Sequence, residues 1–169
     1  MKKASFLALI LISITLVSCK SMKDGKDGTE SFDIELIQSG DLMGGGSEGI
    51  EESIVVCNSQ KELNAICRKM NSVDHVTSAL DDLDESDVDF GKQSIVAYFQ
   101  PVRSTGGYSL TAESLMQIQA DGAKSYILHV SLSSPQGAAI TVLTQPYIFL
   151  ITDKIDGPVK YKVTPKGSL

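Results

Sequence analysis

From Phe32 to Gly40 the chain reads Phe-Asp-Ile-Glu-Leu-Ile-Gln-Ser-Gly, with Phe32, Ile34 and Leu36 separated by acidic residues. A period of two belongs to a strand with one buried face, so the spacing predicts a strand here and the start of the fold at Phe32. Ser53–Cys57 is almost wholly apolar and predicts a second short strand. The pattern then changes period. Leu63, Ile66, Cys67 and Met70 fall at the i, i+3, i+4, i+7 positions of a helix with one apolar side. Ser59 and Glu62 make a capping box at its start, and Arg68 and Lys69 stand in its last turn, where positive charge suits the helix dipole. Ser94–Gln100, Tyr108–Ile118, Ser125–Ser133 and Pro146–Thr152 predict further strands, and Val159–Val163 a short last one. Asp121-Gly122 reads as a hairpin turn between two of them. This order predicts an α+β, mainly β fold: an antiparallel sheet curling into a sandwich or partial barrel, with one helix packed on it.

The chain before this domain has a different composition. Met1-Lys2-Lys3 is basic, Phe6–Val17 is apolar but short for a bilayer span, and Leu16-Val17-Ser18-Cys19 follows. That is the layout of a secretory leader over residues 1–18, and Leu-Val-Ser-Cys resembles the bacterial lipobox, in which the cysteine is acylated and becomes the new N-terminus. Two or three acyl chains anchor stably where one is marginal. Cys19 is the expected lipidation site, and Lys20 directly after it is compatible with an outer membrane, facing periplasm or cell surface. Residues 19–31, polar and glycine-containing, read as a flexible tether to a domain over 32–164, with 165–169 a C-terminal tail.

Charge narrows the partners. Loss of Lys2 and Lys3 with the leader takes the formal net charge from −6 to −8, and no basic cluster remains. Nucleic-acid affinity comes largely from Lys and Arg on phosphates, so a nucleic-acid partner is not expected. The stretch Asp81–Gly91 carries six acids in nine residues up to Asp89, yet its spacing is not that of a calcium loop and reads as solvated. Gly44–Gly49 is glycine-rich, but no Gly-Lys-Ser/Thr follows, which argues against a phosphate loop. His75 and His129 are far apart in sequence, and neither has ligand-type spacing to Cys, Asp or Glu. Cys57 and Cys67 suit buried small apolar positions, with a disulfide as the alternative in an oxidising compartment. No nucleophile set, metal site or cofactor motif emerges, so a non-catalytic protein without cofactor or metal is expected.

The sequence draws attention to two irregular stretches instead. Thr105-Gly106-Gly107 interrupts the sheet immediately before Tyr108, and Ser133–Ala139 is a second loop. Pro146-Tyr147 heads the last long strand. Tyrosines at such junctions either contact a partner, with a rigid ring and a polar tip, or act as corner residues pinning loops to the core. Thr105, Gly106, Gly107, Tyr108, Pro146 and Tyr147 are the candidate partner-binding residues.

The order of these elements resembles a known family. Val88-Asp89-Phe90 leading into an apolar strand, then Thr105-Gly106-Gly107-Tyr108-Ser109, then Thr144-Gln145-Pro146-Tyr147, is similar to the C-terminal domain of PrcB, a protease-complex lipoprotein. The likeness runs from about Phe32 to Val163 and departs in the absence of any Trp. It implies a lipid-anchored accessory subunit that binds and stabilises an exported protease or other surface complex. The Ser104–Tyr108 turn is also loosely similar to a loop of chagasin-type cysteine-protease inhibitors, which makes an inhibitor the alternative, with a small-ligand binder a third reading.

Overall fold

A computed structural model describes residues 28–166, apart from 75, 78, 79, 81, 82 and 84–86. The expected leader, Cys19, the expected tether up to Asp27, His75, residues 81, 82 and 84–86 of the acidic stretch and the last three residues lie outside the described residues.

Why the chain folds in layers is visible in two strands. β4 (Gln93–Phe99) and β7 (Gln145–Asp153) are apolar at successive positions, which suits strands covered on both faces. They lie side by side at the centre of a sheet ordered β2-β7-β4-β3, with β2 at Ile34–Leu42 and β3 at Ser53–Cys57. Ile95, Ala97, Phe99, Tyr147 and Phe149 point to one side and meet α1 (Gln60–Met70) through Leu63, Ile66, Cys67 and Met70. Val96, Tyr98, Ile148 and Leu150 point to the other side. There they meet a second sheet, ordered β1-β5-β6-β8. Its strands are β1 (Gly28–Phe32), β5 (Ser109–Ala120), β6 (Ala123–Ser133) and β8 (Val159–Lys166). Helix, sheet and sheet form three layers with two apolar seams. Among the described residues the observed fold is the mainly β sandwich with one packed helix, and no barrel closes.

The helix starts as its cap dictates. Ser59 Oγ accepts from the Glu62 N–H, while the Glu62 carboxylate takes the Asn58 N–H at 2.7 Å, one residue earlier than the usual box. Burying Leu63, Ile66 and Met70 stabilises the docked helix by about 1.5–3 kcal/mol apiece. Asp121 and Gly122, at φ 51° and 78°, make the tight turn between β5 and β6.

Several boundaries differ from those expected. The fold takes in residues 28–31, placed in the tether by composition, which pair with Gln119–Met116 of β5. The run from Phe32 to Gly40 is two strands in two sheets: Phe32 pairs with Leu115, Ile34 with Thr152, and Thr152 Oγ1 donates to the Asp33 carbonyl at the crossing. A bulge between Leu36 and Gln38 then turns Ile37 to the helix seam and leaves Leu36 exposed. β8 is longer than expected, takes in Pro165 and Lys166, and runs parallel to β6. Cys57 and Cys67 are buried thiols and no disulfide joins them.

Candidate functional site

β2, β4 and β6 all end, and β5 and β7 begin, at one end of the sandwich. Three loops therefore gather there: residues 43–52, 100–108 and 134–144. The strands deliver them to a common place, and backbone pairing staples them. Arg103 and Thr144 exchange both backbone hydrogen bonds, at 2.7 and 3.1 Å, in an isolated antiparallel bridge. Thr144 Oγ1 donates to the Thr105 carbonyl, and the Gly106 N–H to the Ile140 carbonyl at 3.2 Å. Gln145, fully buried, reaches back with Nε2 to the carbonyls of Ile50 and Gln100. These bonds tie the three loops to one another across the loop end.

The glycines set how closely the loops approach. Gly107 has φ +88°, and a Cβ there would lie 2.9 Å from Pro135 Cβ. Gly106 is buried, with Val142 and Ile140 beside the place where a side chain would start. Leu143 lies over Gly45 and Val102 over Gly46, both glycines having positive φ. The 43–49 loop curls on itself as Glu48, itself buried, accepts from the Gly44 N–H at 2.8 Å.

This end exposes four large apolar side chains among polar ones that include Glu51, Glu52, Ser104 and Gln136. Ile140 is 73% exposed and Leu143 52%, and Met43 and Val102 are exposed beside them. The one basic residue of these three loops, Arg103, is turned inward: its guanidinium donates to Gln100 Oε1 and lies 5.2 Å from the centre of the Tyr108 ring. Large apolar side chains grouped on braced loops mark a surface that desolvates well against a partner. Among the described residues no three His, Cys, Asp or Glu side chains are grouped as metal ligands would be.

The expected binding residues divide sharply. Thr105, Gly106, Gly107 and Tyr108 are at this end, with Gly107 exposed and Tyr108 half-buried against the inter-sheet seam. Pro146 and Tyr147 are not surface residues, which corrects their assignment to partner contact. Tyr147 is 2% exposed and packs edge-on against Phe149. Its hydroxyl accepts from Gln38 Nε2 at 2.6 Å and donates to the Val76 carbonyl at 3.0 Å. Burial pushes its pKa up. It is the corner residue of the two readings, pinning β2 and the chain after α1 to the sheet. The exposed side chains that sequence reasoning missed are Met43, Ile140 and Leu143. A signal existed in Ala138-Ala-Ile-Thr-Val-Leu143, an apolar run between strands that pairs with no sheet.

These features define a small mainly β sandwich with a three-loop end that exposes large apolar side chains. No protein-family model, curated protein or solved structure matches the chain.

Proposed function

We propose that this is a bacterial lipoprotein of the cell envelope whose domain is a non-catalytic protein-binding module, holding or stabilising an exported protease or another surface complex. The observation that carries the reading is the braced apolar surface of Ile140, Leu143, Val102 and Met43. Its position relative to the tether supports the same reading. Gly28 enters the fold opposite Gln119, near the Asp121-Gly122 hairpin, whereas β5 begins at Ser109 beside the loops. Roughly ten strand residues separate the two ends, about 35 Å. A chain leashed at one end offers its other end to a partner. Leu16-Val17-Ser18-Cys19 supports the lipid anchor, Lys20 an outer-membrane address, and the likeness to PrcB domains the kind of partner.

The test is co-purification of the full chain from native membranes. A stoichiometric protein partner is expected, and the double variant Ile140→Asp, Leu143→Asp loses it while remaining folded. Recovery of the chain alone, or an undiminished partner with the double variant, rejects the reading. For the anchor, Cys19→Ser abolishes incorporation of a radiolabelled fatty acid.

One observation favours inhibition as a second reading. The Ser104–Tyr108 and Ser133–Ala139 loops touch through Gly107 and Pro135, as a pair of loops wedged into a cleft would. Absence of inhibition of a protease panel at micromolar full chain removes it.

A further inference from the structure

The outer face of the β1-β5-β6-β8 sheet is used by neither apolar seam. Among the described residues no helix or strand packs over it, whereas α1 covers the outer face of the other sheet. In β8, Val159, Tyr161 and Val163 turn inward, so strand alternation sets Lys160, Lys162 and Lys166 outward, all three exposed. Ile127 and His129 of β6 stand beside Lys160 and Lys162, and Met116 of β5 stands opposite Ile127. Met116, Ile118 and Ile127 are partly exposed and belong to neither seam.

The lysine row stands out in a chain whose expected mature form carries a net charge of −8. Lys92 and Lys124 are bridged to Asp89 and Asp156, and Lys154 donates to the Asn58 and Phe90 carbonyls. Among the described residues no acid pairs with Lys160, Lys162 or Lys166. Glu113 reaches this face farther along, where its carboxylate accepts from the Ser131 hydroxyl at 2.6 Å. Unpaired ammonium groups beside uncommitted apolar side chains match the interface of an anionic bilayer. Headgroup phosphates take the charge, and the headgroup–acyl boundary takes the apolar groups. We propose that this face lies on anionic phospholipid, with Lys160, Lys162 and Lys166 on the phosphates and Met116, Ile118 and Ile127 at the boundary.

The place where the chain is held selects a bilayer over a soluble polyanion. Thr29 of β1 pairs with Ile118, so the chain enters the fold at the apolar part of this face. Cys19 stands nine residues before Gly28, a reach of at most about 32 Å. Lys20, Lys23 and Lys26 outnumber Asp24 and Asp27 in between, which gives that segment the same sign as the face. Screening over about 8 Å at physiological salt confines the attraction to this side and leaves the acidic remainder out of range. The strands then run along the membrane and hold the loop end level with it, for a partner in the same plane. Lysine on an edge strand also discourages edge pairing, a role indifferent to the charge of the lipid. The inference rests on the proposed membrane anchor and not on the loop surface, so it is separate from the effect of Ile140→Asp, Leu143→Asp.

The probe is a vesicle of phosphatidylglycerol and phosphatidylethanolamine, with phosphatidylcholine vesicles as the neutral reference. The full chain, purified in detergent, is added to preformed vesicles, and acetylation of each lysine is followed by mass spectrometry. Acetylation of Lys160, Lys162 and Lys166 is expected to slow about fivefold or more on the anionic vesicles, the factor that one lysine near such a surface contributes. Lys61 and Lys69, exposed on α1 across the molecule, keep one rate on both. In Lys160→Gln, Lys162→Gln the rate at Lys166 returns towards its neutral-vesicle value, and the unfolding midpoint stays, because both side chains are exposed. Salt at about 1 M, where screening acts over about 3 Å, abolishes the slowing. Flotation with the phosphatidylcholine vesicles reads the anchor separately: its loss rejects the anchor, while slowing at β8 on anionic vesicles still supports the face. Equal rates on the two vesicle types, equal slowing of Lys61 and Lys69, or no effect of the double variant overturns the proposal. The same slowing by soluble polyglutamate without anionic lipid assigns the face to an acidic macromolecule and overturns it too.

Discussion

Pro135 closes over Gly107: its Cβ lies 2.9 Å from the point where a side chain at 107 would begin, and Gly107 itself has φ +88°. Both the backbone conformation and the space demand glycine. Gly107→Val is therefore expected to lower stability by about 2 kcal/mol or more, since a β-branched residue in that region is strained before any clash. Gly122→Ala is the control, with φ +78° but open space around it. Its cost is the conformational term alone, about 1 kcal/mol. Equal urea midpoints for the two variants would show that Pro135 does not constrain the loop.

Tyr108 and Tyr147 look alike in sequence and separate by experiment. Tyr147→Ala empties a buried site among Phe99 and Phe149 and is expected to cost about 3–5 kcal/mol in denaturant unfolding. Tyr147→Phe removes only the hydroxyl. Gln38 Nε2 still donates to the Val76 carbonyl in its absence, so the loss is about 1 kcal/mol. Tyr108→Ala leaves a folded protein that has lost the ring beneath Arg103, and with it partner recovery. Unfolding of Tyr108→Ala with the severity of Tyr147→Ala would make both residues corners and exclude a contact role.

The N-terminal boundary has a direct consequence for truncation. A chain starting at Phe32 lacks Gly28–Ser31 and strips their pairing from Gln119–Met116. Several exposed ladder hydrogen bonds, each contributing up to about 1 kcal/mol, amount to about 2 kcal/mol. A chain starting at Gly28 keeps them. Comparison of the two in thermal unfolding is expected to show the longer one more stable, and identical midpoints would make β1 dispensable.

Much of the fold was legible because periodicity and burial agree. The capped helix, β3 and the Asp121-Gly122 hairpin follow from local patterns that the tertiary structure leaves intact. The continuous apolar runs of β4 and β7 also carried the information that a sheet is covered twice. The split at Asp33 was hidden, because a strand that changes sheets keeps its period of two across the crossing. β1 was hidden for a different reason: Gly-Thr-Glu-Ser is polar and exposed, and joins the sheet through its backbone. At the candidate site, glycine positions were readable, but the gathering of Leu143 with Gly45 and of Val102 with Gly46 depends on three loops distant in sequence. Tyr147 misled because a tyrosine beside a proline looks the same whether its hydroxyl meets water or the Val76 carbonyl.

Alkaline pH offers a test of the helix seam. Cys57 is fully buried where β3 meets α1, and desolvation, reinforced by the nearby Glu62 carboxylate, raises its thiol pKa from 9.0 to about 12. The folded protein thus holds a proton that the unfolded chain releases above pH 9. Stability from this group is complete below pH 9 and declines as pH rises towards 12, by about 1.4 kcal/mol per pH unit. Burial also raises Tyr126 to about 12, and its loss begins above pH 10. Urea unfolding at pH 7, 9 and 10.5 is expected to show little change over the first interval and a loss of about 2 kcal/mol from Cys57 over the second. Cys57→Val keeps an apolar side chain of similar size without the proton, so it removes that share of the decline. In the native protein Cys57 also reacts slowly with a thiol reagent at pH 8 and quickly once urea opens the seam. A decline of the same slope in Cys57→Val, or rapid labelling of Cys57 in the native state, would place the thiol outside the seam between α1 and β3.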